Sequence, residues 1–143
     1  MEIPVGDDIF VGDTEACVGD KRTLHVWRDD YPQNTCPRVE TGNIGPDDVV
    51  IEYKDGEGFE SSGISYEVLE AFFRKPGVVL IHCCTGQTCS PTLAIIGKAI
   101  RGCNIWRAQV MVIASLWTKH GITANLCVAP MQEIYTRYAG KES

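Results

Sequence analysis

Gly77-Val78-Val79-Leu80-Ile81-His82-Cys83-Cys84-Thr85-Gly86-Gln87-Thr88-Cys89-Ser90-Pro91-Thr92-Leu93-Ala94-Ile95-Ile96 is the stretch on which the reading of this chain turns. Val78 to Ile81 is an unbroken apolar run bounded by Pro76-Gly77, which predicts a strand buried on both faces, as in a covered parallel sheet. After Ser90 the pattern becomes helical. Pro91 suits a first helical position, where its missing N–H is not needed, and Ser90 suits the N-cap before it. Leu93, Ala94, Ile95, Ile96, Ala99 and Ile100 supply a buried face, and Gly102 is a natural stop. Between strand and helix lies a short loop, His82 to Cys89, with Gly86 in its middle, where a positive φ costs little. Such a loop turns backbone N–H groups inward and adds the positive end of the helix dipole, which makes an anion site. A cysteine at its base, Cys83, would become a nucleophilic thiolate in that field.

His82-Cys83-Cys84-Thr85-Gly86-Gln87-Thr88-Cys89-Ser90 resembles the signature loop of the cysteine-dependent protein tyrosine and dual-specificity phosphatases. That signature is His-Cys, two variable residues, Gly, two variable residues, Arg, then Ser or Thr; the Pro91-Thr92-Leu93 that follows resembles the helix start of small dual-specificity phosphatases. One position departs from the pattern. Where the family has arginine, this chain has Cys89. The arginine binds the phosphoryl group bidentately and stabilises its transition state, so the departure bears on chemistry and leaves the fold expectation intact.

The resemblance implies a phosphate-binding loop formed by Cys83, Cys84, Thr85, Gly86, Gln87, Thr88 and Cys89, with Cys83 in the nucleophile's place. It implies that His82 fixes the loop and tunes the thiolate. Ser90 would supply the hydroxyl that helps the thiolate leave the phosphoenzyme, besides capping the helix. A general-acid aspartate is expected on a loop after an upstream strand, and Asp55 in Lys54-Asp55-Gly56 fits that place better than Asp47 or Asp48. A simple Asp-Gly chain reversal is the structural alternative for Asp55. Asn125 matches loosely the place from which the family positions the hydrolytic water.

The remaining composition bounds the answer. One hundred and forty-three residues suffice for a single domain spanning 1–143 with a real core. Hydrophobic residues make up 44% and charged residues 22%, ordinary values for a globular chain. No run approaches membrane-spanning length, and the first residues lack the basic-then-apolar order of a signal peptide. A net charge of −6 argues against nucleic acid or anionic lipid as partner. The seven cysteines are odd in number, three crowd into one loop, and none forms a Cys-x-x-Cys pair. That favours a reducing, cytoplasmic setting over a disulfide scaffold or structural zinc. No cofactor is implied.

Along the chain, Ile9-Phe10-Val11, Thr23 to Trp27 and Val49 to Tyr53 predict further strands. Asp13 or Thr14 would cap a brief helical turn, and Arg28 to Asp48 is a polar excursion. Ser65 to Arg74 predicts a helix burying Val68, Leu69, Phe72 and Phe73. Asn104 caps another, to Lys119, with Trp106, Val110, Ile113, Ala114 and Trp117 as its apolar positions and Gly121 as its end. A last helix runs from near Pro130 to Tyr138, where Met131, Tyr135 and Tyr138 read as packing. The expected fold is α/β, a mainly parallel central sheet flanked by helices, like that of a small dual-specificity phosphatase.

The function that follows is a phosphatase fold with lost or strongly impaired catalysis, binding a phosphorylated protein or a small oxyanion such as phosphate or sulfate. An arginine on a transferring phosphoryl group is worth roughly 10³–10⁵ in rate, whereas a thiol is a weak donor without charge. Lys98, Arg101 and Arg107 lie where helix geometry carries them away from the loop. A weakly active phosphomonoester hydrolase working through phospho-Cys83 is the nearest alternative. A rhodanese-like sulfurtransferase and a redox module pairing Cys83 with Cys84 or Cys89 are the others.

Overall fold

The computed structural model describes residues 2–6, 8–12, 21–28, 45–53, 66–82, 89–124, 126 and 128–138. Among these residues five strands form one sheet: β1 (Glu2–Pro4), β2 (Ile9–Gly12), β3 (Arg22–Arg28), β4 (Val49–Tyr53) and β5 (Val79–His82), in the order β1-β2-β5-β3-β4. β2, β5, β3 and β4 run parallel, and β1 pairs antiparallel with β2 at the edge. The expected α/β, mainly parallel architecture is what forms. β1 escaped the sequence reading because three residues with a proline carry almost no periodic signal, and Pro4 is tolerated only because the strand is an edge.

β5 is central, and all four of its residues are buried. It lies one residue later than the apolar run suggests. Val78 is exposed, and the ladder runs Val79 to His82 because Val79 pairs with both Ile9 and Arg22. His82 therefore closes the strand and does not open the loop.

The helices are α1 (Tyr66–Arg74), α2 (Cys89–Ile100), α3 (Ile105–His120) and α4 (Val128–Tyr138). α2 is buried from Ser90 to Ile100 and packs against β2, β5, α1, α3 and α4, which makes it the hub of the core. Its approach to α1 depends on Gly97. A Cβ there would lie 2.4 Å from the Phe73 ring, closer than any packed carbon tolerates. α1 buries Tyr66, Leu69, Phe72 and Phe73, while Val68 faces solvent, a correction to its expected apolar face.

α3 begins and ends as its sequence dictates. Asn104 Oδ1 accepts from the N–H groups of Trp106 (3.0 Å) and Arg107 (3.3 Å), and Gly121 closes the helix at φ 67°. Its buried face, however, is Ile105, Ala108, Val112 and Leu116. Trp106, Val110, Ile113, Ala114 and Trp117, the apolar positions the sequence marks on this helix, are exposed. Two stripes of this helix are apolar, and size alone favours the wrong one. The stripe that packs inward, with α2 the main neighbour of α3, is the one made of small and branched residues.

The amino edge of the sheet is held by two arginines. The Arg101 guanidinium donates to the carbonyls of Phe73 (2.6 Å), Lys75 (3.1 Å) and Gly77 (3.0 Å) and pairs with Asp8 at 2.6 Å. Arg22 donates to the carbonyls of Phe72 and Lys75 and lies over the Phe72 ring. Together they satisfy the last carbonyls of α1 and complement the negative end of its dipole. Burial, and then the neighbouring Arg101, lower the Arg22 pKa, against which Asp47 and Asp48 pull upward.

Candidate active site at the carboxyl edge of the sheet

β5 ends at His82 and α2 begins at Cys89, so the six residues between them leave from the carboxyl edge of a parallel strand and enter a helix N-terminus. That edge is where open α/β sheets bind ligands. Cys83, Cys84, Thr85, Gly86, Gln87 and Thr88 lie outside the described residues, as do Asp55 and Asn125. The described residues fix where the chain hands over to them. β4 ends at Tyr53, two residues before Asp55, at the same sheet edge as His82, and β4 stands two strands from β5. By strand spacing alone that is about 10 Å.

His82 and Ser90 bracket the loop. His82 is buried at the end of β5, and its ring meets that of His25 edge-on, centroids 5.8 Å apart and planes at 62°. The two histidines are register partners on β3 and β5. Ser90 is fully buried, and its hydroxyl donates to the Ile81 carbonyl at 3.3 Å. The expected role of Ser90 as N-cap is corrected by this geometry. The helix already begins at Cys89, and the hydroxyl ties α2 back to β5 across the base of the loop. The expected helix start at Pro91 moves two residues earlier for the same reason.

Behind His82 stands a pair that sequence reasoning missed. His25 Nε2 lies 3.0 Å from Asp48 Oδ2; the side chains are 0% and 5% exposed. Asp48 also accepts from the backbone N–H of Thr23 (2.9 Å) and of Gly45 (2.8 Å). Burial alone would raise the carboxyl pKa, but the hydrogen bonds from His25, Thr23 and Gly45 outweigh it and lower the net value. Asp48 is thus an acceptor, and Nε2 of His25 carries the shared proton. Nδ1 of His25 is buried and has no hydrogen-bond partner among the described residues. A histidine with an apolar neighbour on each side in a strand gives no sequence signal for such a role; its partner lies 23 residues away.

The geometry also separates the aspartates. Asp48 is occupied by His25, and Asp47 is exposed and pairs with Lys75 at 3.4 Å. Both precede β4, at the amino end of that strand, so neither sits at the edge where β5 ends. The cations divide in the same way. Arg101 and Arg22 are bound at the amino edge, and Lys98, buried on α2, brings its ammonium against Gly6. One further cation was overlooked. Arg28 is the last residue of β3, three positions past the His25–His82 pair and therefore about 10 Å farther toward the carboxyl edge. Among the described residues no group of three His, Cys, Asp or Glu side chains could hold a metal ion. No helix among them is long and apolar enough to cross a membrane.

No family model matches the sequence, and no curated protein matches it. Solved structures do match the fold. A mouse protein assigned to the dual-specificity phosphatases and complexed with zinc tungstate aligns at a TM-score of 0.61 and 17% identity, over 97% of this chain and 87% of that one. Tk-PTP in its active form aligns at 0.61 and 17%, over 98% and 97%. A human DUSP28 variant aligns at 0.59 and 14%, over 99% and 98%. The chain has the fold of the dual-specificity and protein tyrosine phosphatases.

Proposed function

We propose that this chain is a phosphatase-fold protein whose catalysis is lost or strongly impaired, and that its loop from Cys83 to Cys89 serves to bind a phosphorylated protein or a free oxyanion. The observation that carries the reading is Cys89 at the entrance to α2, the position that holds arginine in the signature this loop resembles. The main-chain N–H groups of such a loop and the dipole of α2 do not depend on that side chain, so anion affinity survives its loss. The bidentate clamp on the equatorial oxygens does not survive. The engagement of Arg22 and Arg101 at the far edge supports the same reading.

In this reading His82 orients the start of the loop and Cys83 lies against the bound oxyanion. Ser90 anchors the helix, and Asp55 keeps the general acid's place after β4. Restoring the missing group is the test. Cys89→Arg is expected to raise aryl phosphate hydrolysis on the order of 10³-fold or more above a near-background parent. Cys83→Ser should then abolish the activity, and Asp55→Asn should lower it roughly 10²-fold. A parent that already turns over aryl phosphate at an ordinary enzymatic rate overturns the proposal.

A second reading is a weakly active phosphomonoester hydrolase working through phospho-Cys83, for which Arg28, at the carboxyl end of β3, is the cation to test as a substitute for part of the clamp. Arg28→Ala in the parent would then remove both residual turnover and phosphate affinity. In the favoured reading it leaves turnover at background.

A further inference from the structure

α3 carries an apolar stripe on its outer side that, among the described residues, is left largely exposed, with Trp106 stacked on Tyr135 at one end. Trp106 is 56% exposed, Val110 67%, Ile113 37% and Trp117 61%. At 100° per residue these four fall within about 60° of arc, on a line about 16 Å long. No charged residue lies in the stripe, and α3 as a whole contains no acidic side chain. Its anchor is rigid. The Trp106 ring stacks on Tyr135 with centroids 5.1 Å apart, and the Tyr135 hydroxyl donates to Gln109. A soluble monomer has little reason to expose two tryptophans and two β-branched residues in one line.

The spacing suits a second copy of the same helix. Val110 stands four residues after Trp106, and Ile113 stands four residues before Trp117. The stripe therefore reads the same in both directions: tryptophan, branched aliphatic, branched aliphatic, tryptophan. Two copies of such a helix, laid antiparallel about a dyad between positions 111 and 112, set Trp106 of each against Trp117 of the other. They set Val110 of each against Ile113 of the other. In that register Arg107 faces position 116 and Lys119 faces position 104, so like charges are not directly opposed. Self-complementarity of one patch is the requirement of an isologous two-fold interface.

We infer that α3 is a homodimerisation surface, its occupant a second copy of this chain. From their exposures the four side chains offer on the order of 450 Å² per copy, and Arg107, Ala114 and His120 flank them toward the roughly 800 Å² per partner of a standard interface. An area at the low end makes a weak, reversible dimer, with an expected Kd of roughly 10–100 μM. Each copy carries a net charge of −6, so long-range repulsion opposes association and added salt should strengthen it.

Sedimentation equilibrium of the full chain, from about 5 to 500 μM across that Kd range, reads the outcome directly. Tryptophan emission over the same range should shift to the blue as the copies pair. Val110→Glu places a charge at the centre of the stripe and should raise the Kd at least tenfold, without loss of circular dichroism, because Val110 is mostly solvent-exposed. Trp117→Gln removes an end anchor, should weaken pairing in the same direction, and serves if the first variant fails to fold. A chain that stays monomeric at every concentration overturns the inference, whether its tryptophans are then covered by another segment or reserved for a different partner. A dimer indifferent to both substitutions, or one dissolved by salt as docking of acidic groups on Arg107 and Lys119 would be, overturns it equally.

Discussion

The two edges of the parallel sheet solve opposite electrostatic problems. At the amino edge the carbonyls of Phe72, Phe73, Lys75 and Gly77 collect negative partial charge, and the chain places two guanidiniums there, Arg22 and Arg101, with Asp8 closing the network. At the carboxyl edge the N-terminus of α2 presents positive partial charge with no acidic residue in its first turn, and in the proposed reading Cys89 stands where a fixed cation would be added. One edge is a completed structural joint. The other, among the described residues, ends in an open helix N-terminus, the kind of place that suits an external anion.

Moving a guanidinium to the carboxyl edge is the strongest way to break that contrast. Cys89→Arg should yield the thousand-fold gain in hydrolysis set out above, read with an aryl phosphate under steady-state conditions. Next in size is removing one from the amino edge. Arg101→Met strips four carbonyl and carboxylate contacts and should cost about 3 kcal/mol of unfolding free energy in a urea titration. Phosphate affinity of the folded fraction should not change, and a loss there would show the two edges to be coupled.

Gly97→Ala acts between the edges, where α2 meets α1. Its methyl group would collide with the Phe73 ring, and the expected cost is about 2 kcal/mol, seen as a lower midpoint with an unchanged denaturant slope. A neutral outcome would mean that the ring moves freely and that α2 is not wedged. The smallest effect concerns Asp48. Its carboxyl pKa is lowered in the folded chain, so its contribution to stability is fully present above the unfolded carboxylate value of about 3.9 and is lost as pH falls below it. Asp48→Asn should cost about 1 kcal/mol at neutral pH and flatten the acid limb of the stability profile. An unchanged acid limb would remove the His25–Asp48 pair as the support behind His82.

Legibility differed from element to element for physical reasons. The strand before the loop and the helix after it were legible to within one or two residues, because an apolar β-branched run and a Pro-Thr-Leu segment are local signals. The caps of α3 were equally plain, since Asn104 and Gly121 act on backbone groups only a few residues away. Ser90 was misread because its partner, the Ile81 carbonyl, lies nine residues back and is reachable only after the loop has closed. Val78 and Val68 were placed inside because periodicity names an apolar face but not which neighbours are there to cover it.

By itself the sequence determined the mainly parallel α/β sheet, the strand and the helix on either side of residues 83–88, and the presence of cysteine at position 89. These are consequences of hydrophobic period, of backbone preference and of residue identity, all local quantities. Only the tertiary structure decided that β5 extends to His82, that Asp48 is bound to His25 and so removed from the carboxyl edge, and that Arg101 belongs to the amino edge. It decided above all which side of α3 faces the core. A helix with two apolar stripes has two self-consistent burials, and packing against the rest of the chain makes the choice: Ala108 and Val112 are buried, Trp106 and Trp117 exposed.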